Sequence, residues 1–222
     1  MHVVQKRLVR VLLAGVLVTG AIAAPTLLAA GTAEAASCGG AVAAGTSCTL
    51  VGTVALTGGS LTLTSPSVLN WTGTLNGLDQ SLVDTSPGDQ QFTVNDATGM
   101  GAGWHVTTSA TQFTNGTKTF VNTGTFVTNG SATSITSTNG PSATCTNTCT
   151  VPTDTTTYPV PITTAAVTPM PVTIYDTATG TGMGQMVIGN TPNPVGWWVN
   201  VPASASAGSY TSTITMEIIS GP

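Results

Sequence analysis

Residues 96–114 read DATGMGAGWHVTTSATQFT. Three glycines, Gly99, Gly101 and Gly103, precede Trp104 and a run of alternating polar and apolar residues. A dinucleotide loop needs a strand before the glycines, a helix after them, and the phosphate at the helix N-terminus. Here Trp104-His105-Val106-Thr107-Thr108 follows, and such aromatic and β-branched residues fit a pleated, half-buried surface. No Walker loop occurs in the chain. The glycines therefore supply positive φ angles and close backbone approach at a turn or bulge. The stretch reads as a turn feeding a β-strand.

The same two-residue period recurs along the chain. SLTLTS (60–65) sets Leu61 and Leu63 on one face, and SVLNWTGTLNG (67–77) continues the pattern to the turn dipeptide Asn76-Gly77. QQFTVND (90–96) aligns Phe92 with Val94, and MPVTIYD (170–176) aligns Val172 with Ile174. In SYTSTITMEIISG (209–221), Tyr210, Ser212, Ile214, Met216 and Ile218 share one parity. This period predicts strands with one buried face. No segment after the first 35 residues has a helical period with caps. Short strands between turn clusters predict an all-β antiparallel sandwich, immunoglobulin-like or related. Residues 115–150, rich in Thr, Asn, Gly and Ser with scattered Phe120, Phe126 and Val127, read as a hairpin or excursion on the sheet edge. There is an internal echo: DATGMGAGWHV at Asp96 resembles DTATGTGMGQMVI at Asp176.

The N-terminus has another character. Lys6, Arg7 and Arg10 precede a long apolar run that ends on Ala33-Glu34-Ala35, the small-x-small pattern of a signal peptidase site. Residues 1–35 are expected to be a helical signal peptide, leaving residues 36–222 as a single exported domain without an integral membrane segment. The exported part has one cation, Lys118, against seven carboxylates, a formal charge of −6. One cation cannot neutralise a phosphate backbone, so nucleic acid is excluded as a partner. Polybasic contact with anionic lipid is excluded for the same reason.

Four cysteines remain: Cys38, Cys48, Cys145 and Cys149. Export and an even count favour disulfides. Of three possible pairings, the local ones, Cys38–Cys48 and Cys145–Cys149, close the shortest loops. CTNTC (145–149) also has a spacing that zinc accepts, but the other two cysteines lie far upstream and the only histidine of the exported part is His105. A lipid-attached Cys38 would need Leu where Ala35 stands. No metal and no cofactor is expected.

No catalytic set emerges. His105 alone could serve a Ser-His-Asp triad, and no G-x-S-x-G elbow exists. His105 has the parity opposite to Trp104 and is expected to face solvent. Paired carboxylates could hydrolyse glycosides, but Asp79, Asp84, Asp89, Asp96, Asp154, Asp176 and Glu217 lie mostly at turns, which Asp favours. The expectation is a protein that is not an enzyme. Among the four tryptophans, Trp104 reads as core, while Trp197 and Trp198 are neighbours in PVGWWVNVP (194–202). On a strand they point to opposite faces, so one is expected outside or in a groove. An exposed indole can stack sugar rings or a partner, so Trp71, Trp197 and Trp198 are the candidate contacts for a wall or ligand.

LNWTGTLNG (69–77), the D-x-x-G-x-G-x-G-W turn at Asp96–Trp104 and the A-G-x-Y-x-S-x-I-T ending at Ala207–Thr215 resemble the WxL-domain surface proteins of Gram-positive bacteria. The resemblance runs from about Leu69 to Pro222. It implies an exported β-rich domain at the cell wall or cell surface, attached non-covalently to peptidoglycan or to other surface proteins. Its signature positions here are Trp71, Asp96, Gly99, Gly101, Gly103, Trp104, Tyr210, Met216 and Ile218. The sequence departs from both Trp-x-Leu signatures: Gly73 stands where the first wants Leu, and Met216-Glu217-Ile218 occupies the second. Met and Ile still suit an inward face. With no sorting motif and terminal anchor, non-covalent attachment serving adhesion or display is expected. The alternative is a self-assembling subunit of a surface layer or fibre, pairing through the Thr-rich edge.

Overall fold

The computed structural model describes residues 36–37, 39–45, 47–120 and 126–222. The expected leader, residues 1–35, and Cys38 lie outside the described residues. The described part divides into two compact units, one ending at Val54 and the other spanning Ala55–Pro222. In the first, β1 (Ala36–Ser37) pairs in parallel with β2 (Cys48–Thr49).

The second unit has no helix among its described residues. Its strands begin with β3 (Leu61–Thr64), β4 (Gln80–Val83), β5 (Phe92–Asp96), β6 (Trp104–Thr111) and β7 (Phe113–Thr114). Next come β8 (Thr119–Phe120), β9 (Phe126–Asn129), β10 (Ser142–Cys145), β11 (Val160–Ile162) and β12 (Thr164–Ala165). The chain ends through β13 (Val172–Thr177), β14 (Gly184–Asn190), β15 (Gly196–Val201) and β16 (Ile214–Ser220). Two antiparallel sheets have the orders β10-β14-β5-β3 and β11-β9-β15-β4. In a third, β6 pairs antiparallel with β13 and β16 and in parallel with β12. β7 and β8 form a separate hairpin.

The inward residues of these sheets merge into one hydrophobic core, as in a sandwich. β5 shows how the period works: Phe92, Val94 and Asp96 are buried while Thr93 and Asn95 between them are half-exposed. β6 is buried along most of its length because β13 and β16 flank it and its Trp104, Val106 and Ala110 enter the core. The all-β antiparallel architecture expected from the alternation is the one observed.

Two expectations of detail are corrected. Residues 67–77 form no strand. Their backbone is held by side chains instead, with Asn70 N donating to Asp84 Oδ2 at 2.6 Å. Within 115–150 the structure finds more than an edge. β9 lies between β11 and β15, and all four of its residues are buried. Phe126 and Val127 make too short an apolar signal to mark an inner strand against a Thr/Asn/Gly background. From the same stretch, β10 is a sheet edge and β8 belongs to the separate β7-β8 hairpin.

Candidate binding site

The glycine stretch is a turn, as expected from the residues after it. Gly99, Gly101 and Gly103 have φ of 70°, 61° and 76°, the left-handed region that glycine enters without steric cost. Asp96 starts the turn: its Oδ1 accepts from Thr98 N at 3.0 Å and Thr98 Oγ1 at 2.6 Å. The echo at Asp176 is a second turn of the same kind, with positive φ at Gly180, Gly182 and Gly184. The two turns lie against each other. Gly180 N donates to Gly101 O at 2.8 Å, and the Trp104 indole donates to Gly182 O at 2.9 Å. Trp104 is fully buried and stacks on Tyr175 at 5.8 Å. The motif thus locks two crossings of the chain together through its backbone and the Trp104 indole.

A cavity opens elsewhere. A groove of about 640 Å³ lies between residues 71–75 and 205–210, with Leu82, Phe113, Phe120 and Val199 among its lining. A second groove of about 550 Å³ lies between residues 65–70 and 209–214 and shares Trp71, Phe113 and Tyr210 with the first. No charged residue lines either. A run of rings from Tyr210 to Trp71 forms the floor and continues into the core through Phe126 and Trp197. Tyr210 meets Phe120 at 5.0 Å, Phe120 stacks on Phe113 at 5.2 Å, and Phe113 meets Trp71 edge-on at 5.7 Å. Trp71 then meets Phe126 at 5.5 Å, and Phe126 stacks on Trp197 at 6.0 Å. Such pairs contribute roughly 0.5–1.5 kcal/mol each beyond burial. The Trp71 indole donates to Trp197 O at 3.0 Å, which fixes the ring at the junction of the grooves. Ser206, Ser209, Thr72 and Thr74 give the first groove polar groups around this apolar floor.

Trp71 and Tyr210, 139 positions apart in the numbering, therefore border one site. A family model described as WxL domain surface cell wall-binding matches residues 55–222. The chain belongs to this family. No curated protein and no solved structure matches it. The matched region coincides with the second compact unit, so the sandwich is the WxL domain. It is a domain of a surface, cell wall-binding family.

The two degenerate signatures of this WxL domain have local explanations. A Cβ at Gly73 would lie 2.9 Å from both terminal methyls of Leu82. Leu82, from β4, thus occupies the space beside position 73. In β16, Met216 and Ile218 pack against the core and Glu217 points out to solvent. Met216 also lines the second groove.

The paired tryptophans differ from expectation. They point to opposite faces, yet neither lies outside: Trp197 is 0 % and Trp198 is 7 % exposed. Trp197 Nε1 donates to Asp89 O at 2.8 Å, and Trp198 Nε1 donates to Ser131 O at 3.2 Å in the turn after β9. Covering segments distant in sequence, invisible to the alternation, remove both from the surface. Trp71 remains the one tryptophan of the three in a groove. Phe113 and Phe120 were not singled out from the sequence. Their signal is Asn115-Gly116 between them, a hairpin dipeptide flanked by aromatics.

The carboxylates serve the backbone. Asp84 is fully buried and accepts from Asn70 N and Ser86 N. Asp79 accepts from Ala203 N at 2.7 Å. Asp154 and Asp176 form one network. Asp154 Oδ2 accepts from the Tyr158 hydroxyl at 2.7 Å, and Asp176 accepts from Thr155 N and Oγ1 at 2.6 Å each. Burial pushes the Asp154 carboxyl above its ordinary value against several hydrogen bonds. Burial acts the same way on Asp176, but the Thr155 hydrogen bonds, the Asp154 hydrogen bond and the nearby His105 together outweigh it, and the net shift is downward. His105 is half-buried rather than open to solvent, with Nδ1 2.7 Å from Gly221 O. Among the described residues no three His, Cys, Asp or Glu side chains are placed to hold a metal. Cys145 and Cys149 form a disulfide, and Cys48 is also disulfide-bonded.

Proposed function

We propose that this WxL domain holds an exported protein to peptidoglycan without a covalent bond, for adhesion or surface display, and that the first groove is the contact. One observation carries the reading: the groove joining Trp71 to Tyr210 has an aromatic floor, a hydroxyl rim and no charge. Sugar rings offer apolar C–H faces to aromatic side chains and hydroxyls to a polar rim. Trp71 and Tyr210 are its contacts, while Asp96, Gly99, Gly101, Gly103 and Trp104 hold the fold and Met216 and Ile218 pack it. The domain performs no reaction in this reading.

Co-sedimentation with purified peptidoglycan sacculi tests it. The exported chain is expected in the pellet. Leu75→Asp, at a groove position 41 % exposed, is expected to weaken retention by roughly tenfold or more, the effect of losing a central contact. Complete recovery of the parent in the supernatant overturns the reading. A second reading, copies assembling into a surface layer or fibre, is favoured by one feature, the exposed uncharged segment of residues 50–57.

A further inference from the structure

The two grooves lie in succession between the same two stretches of chain. Residues 71–75 and 205–210 wall the first, and residues 65–70 and 209–214 wall the second. As one stretch advances from 65 to 75, the other runs back from 214 to 205. The walls are therefore antiparallel and continue from groove to groove. Trp71, Phe113 and Tyr210 line both and form the floor where they meet. Each groove alone has the volume of a small-ligand site. End to end they make a track with the form of an extended chain.

The lining changes along the track. The first groove has an apolar base that includes Leu82, Phe120 and Val199, whereas the second is lined mainly by Ser, Thr and Asn. Thr72, Thr74 and Ser206 in the first groove, and Ser67, Asn70 and Thr213 in the second, are exposed. Hydroxyls and amides both donate and accept hydrogen bonds, as a polymer bearing hydroxyl and acetamido groups requires. Gln80, on the first groove, donates through Nε2 to Thr74 O at 3.0 Å and to Asn76 Oδ1 at 2.8 Å. Its carbonyl oxygen remains as an acceptor, the partner that an acetamido N–H needs. No charged side chain lines either groove. A peptide with free carboxylates and amines would find no counter-charge in them.

We propose that the two grooves are successive subsites for one neutral, N-acetylated glycan strand. The first groove takes the sugars that stack on Trp71 and Tyr210. The second holds the next sugars of the strand through hydroxyl and amide contacts. The stem peptides of the wall are not read. The proposal rests on wall attachment through the first groove, and adds to it the chemical class of the ligand and the second groove.

Calorimetric titration of the exported chain with N-acetylglucosamine dimer and hexamer tests it, beside co-sedimentation with sacculi. The hexamer is expected to bind roughly tenfold tighter than the dimer, the gain of about one or two further hydrogen bonds. Val68→Asp, at a second-groove position 52 % exposed, and Thr213→Asp, at another exposed one, are each expected to bring that ratio below about threefold. A synthetic stem pentapeptide is expected not to displace the hexamer. A chain that is retained on sacculi but binds neither oligomer, or that releases the hexamer to the stem peptide, overturns the glycan assignment and leaves wall attachment standing. Equal affinity for dimer and hexamer, or the parent's ratio in both variants, overturns the second groove as a subsite. Full recovery in the supernatant with no oligomer bound overturns the attachment reading and this proposal together. The parent's own ratio needs no substitution, so it decides even where a variant disturbs the fold.

Discussion

A methyl group at Gly103 would lie 2.5 Å from the Thr177 carbonyl oxygen, on a backbone whose φ is 76°. Gly99 has a similar φ, 70°, but open space around it. Gly99→Ala is expected to cost roughly 1–2 kcal/mol, the left-handed penalty alone. Gly103→Ala adds a clash with rigid backbone and is expected to cost clearly more; denaturant midpoints of the two variants check the order. Position 73 makes the opposite case, since its neighbour can move. Gly73→Leu restores the family residue but meets the Leu82 methyls, so overpacking of roughly 1–3 kcal/mol is expected. Adding Leu82→Ala makes room. The double variant should be more stable than the sum of the singles, and a double-mutant cycle in urea measures the coupling. The sequence made the glycine turn legible, because the residues after Gly103 are strand formers. It could not reveal that Leu82 fills the space at Gly73.

At the scale of elements, the segment joining β10 to β11 is pinned at its start and in its middle. The Cys145–Cys149 disulfide closes its start, and the Asp154–Asp176 network ties its middle to β13. Asp176, with its pKa lowered, contributes stability above its unfolded value of 3.8, and loses it as pH falls through the depressed folded value. Asp154, with its pKa raised, acts in the other sense: its contribution is present at low pH and is lost as pH rises through the raised value. Asp176→Asn is therefore expected to be less stable than the parent at neutral pH, with the difference vanishing once the parent's Asp176 is protonated in the folded state. Urea unfolding across the acid range checks this. Strands β3, β5, β6, β13 and β16 were legible because each keeps a two-residue period beside turn residues. β9 was not, since its burial comes from its neighbours β11 and β15.

For the whole molecule, the exported part has a single cation, and both grooves lack charge. Attachment through the first groove is then a matter of stacking and hydrogen bonding, which salt screens little. Sacculus retention is expected to change by less than about twofold when salt rises past the point where the Debye length is ~3 Å. A steep fall in the co-sedimented fraction would point to attachment by charge instead.

By itself the sequence determined the all-β architecture, the turn character of the glycine motif and the family. These depend on local rules: the two-residue period of a pleated strand, the φ freedom of glycine, and a signature read along the chain. Only the tertiary structure decided which aromatics are available. It buried Trp197 and Trp198 under segments far from them in sequence, and it brought Trp71, Phe113, Phe120 and Tyr210 into one floor. The period tells which side of a strand a residue occupies. What covers that side depends on contacts between residues tens of positions to more than a hundred apart, and no local pattern encodes them.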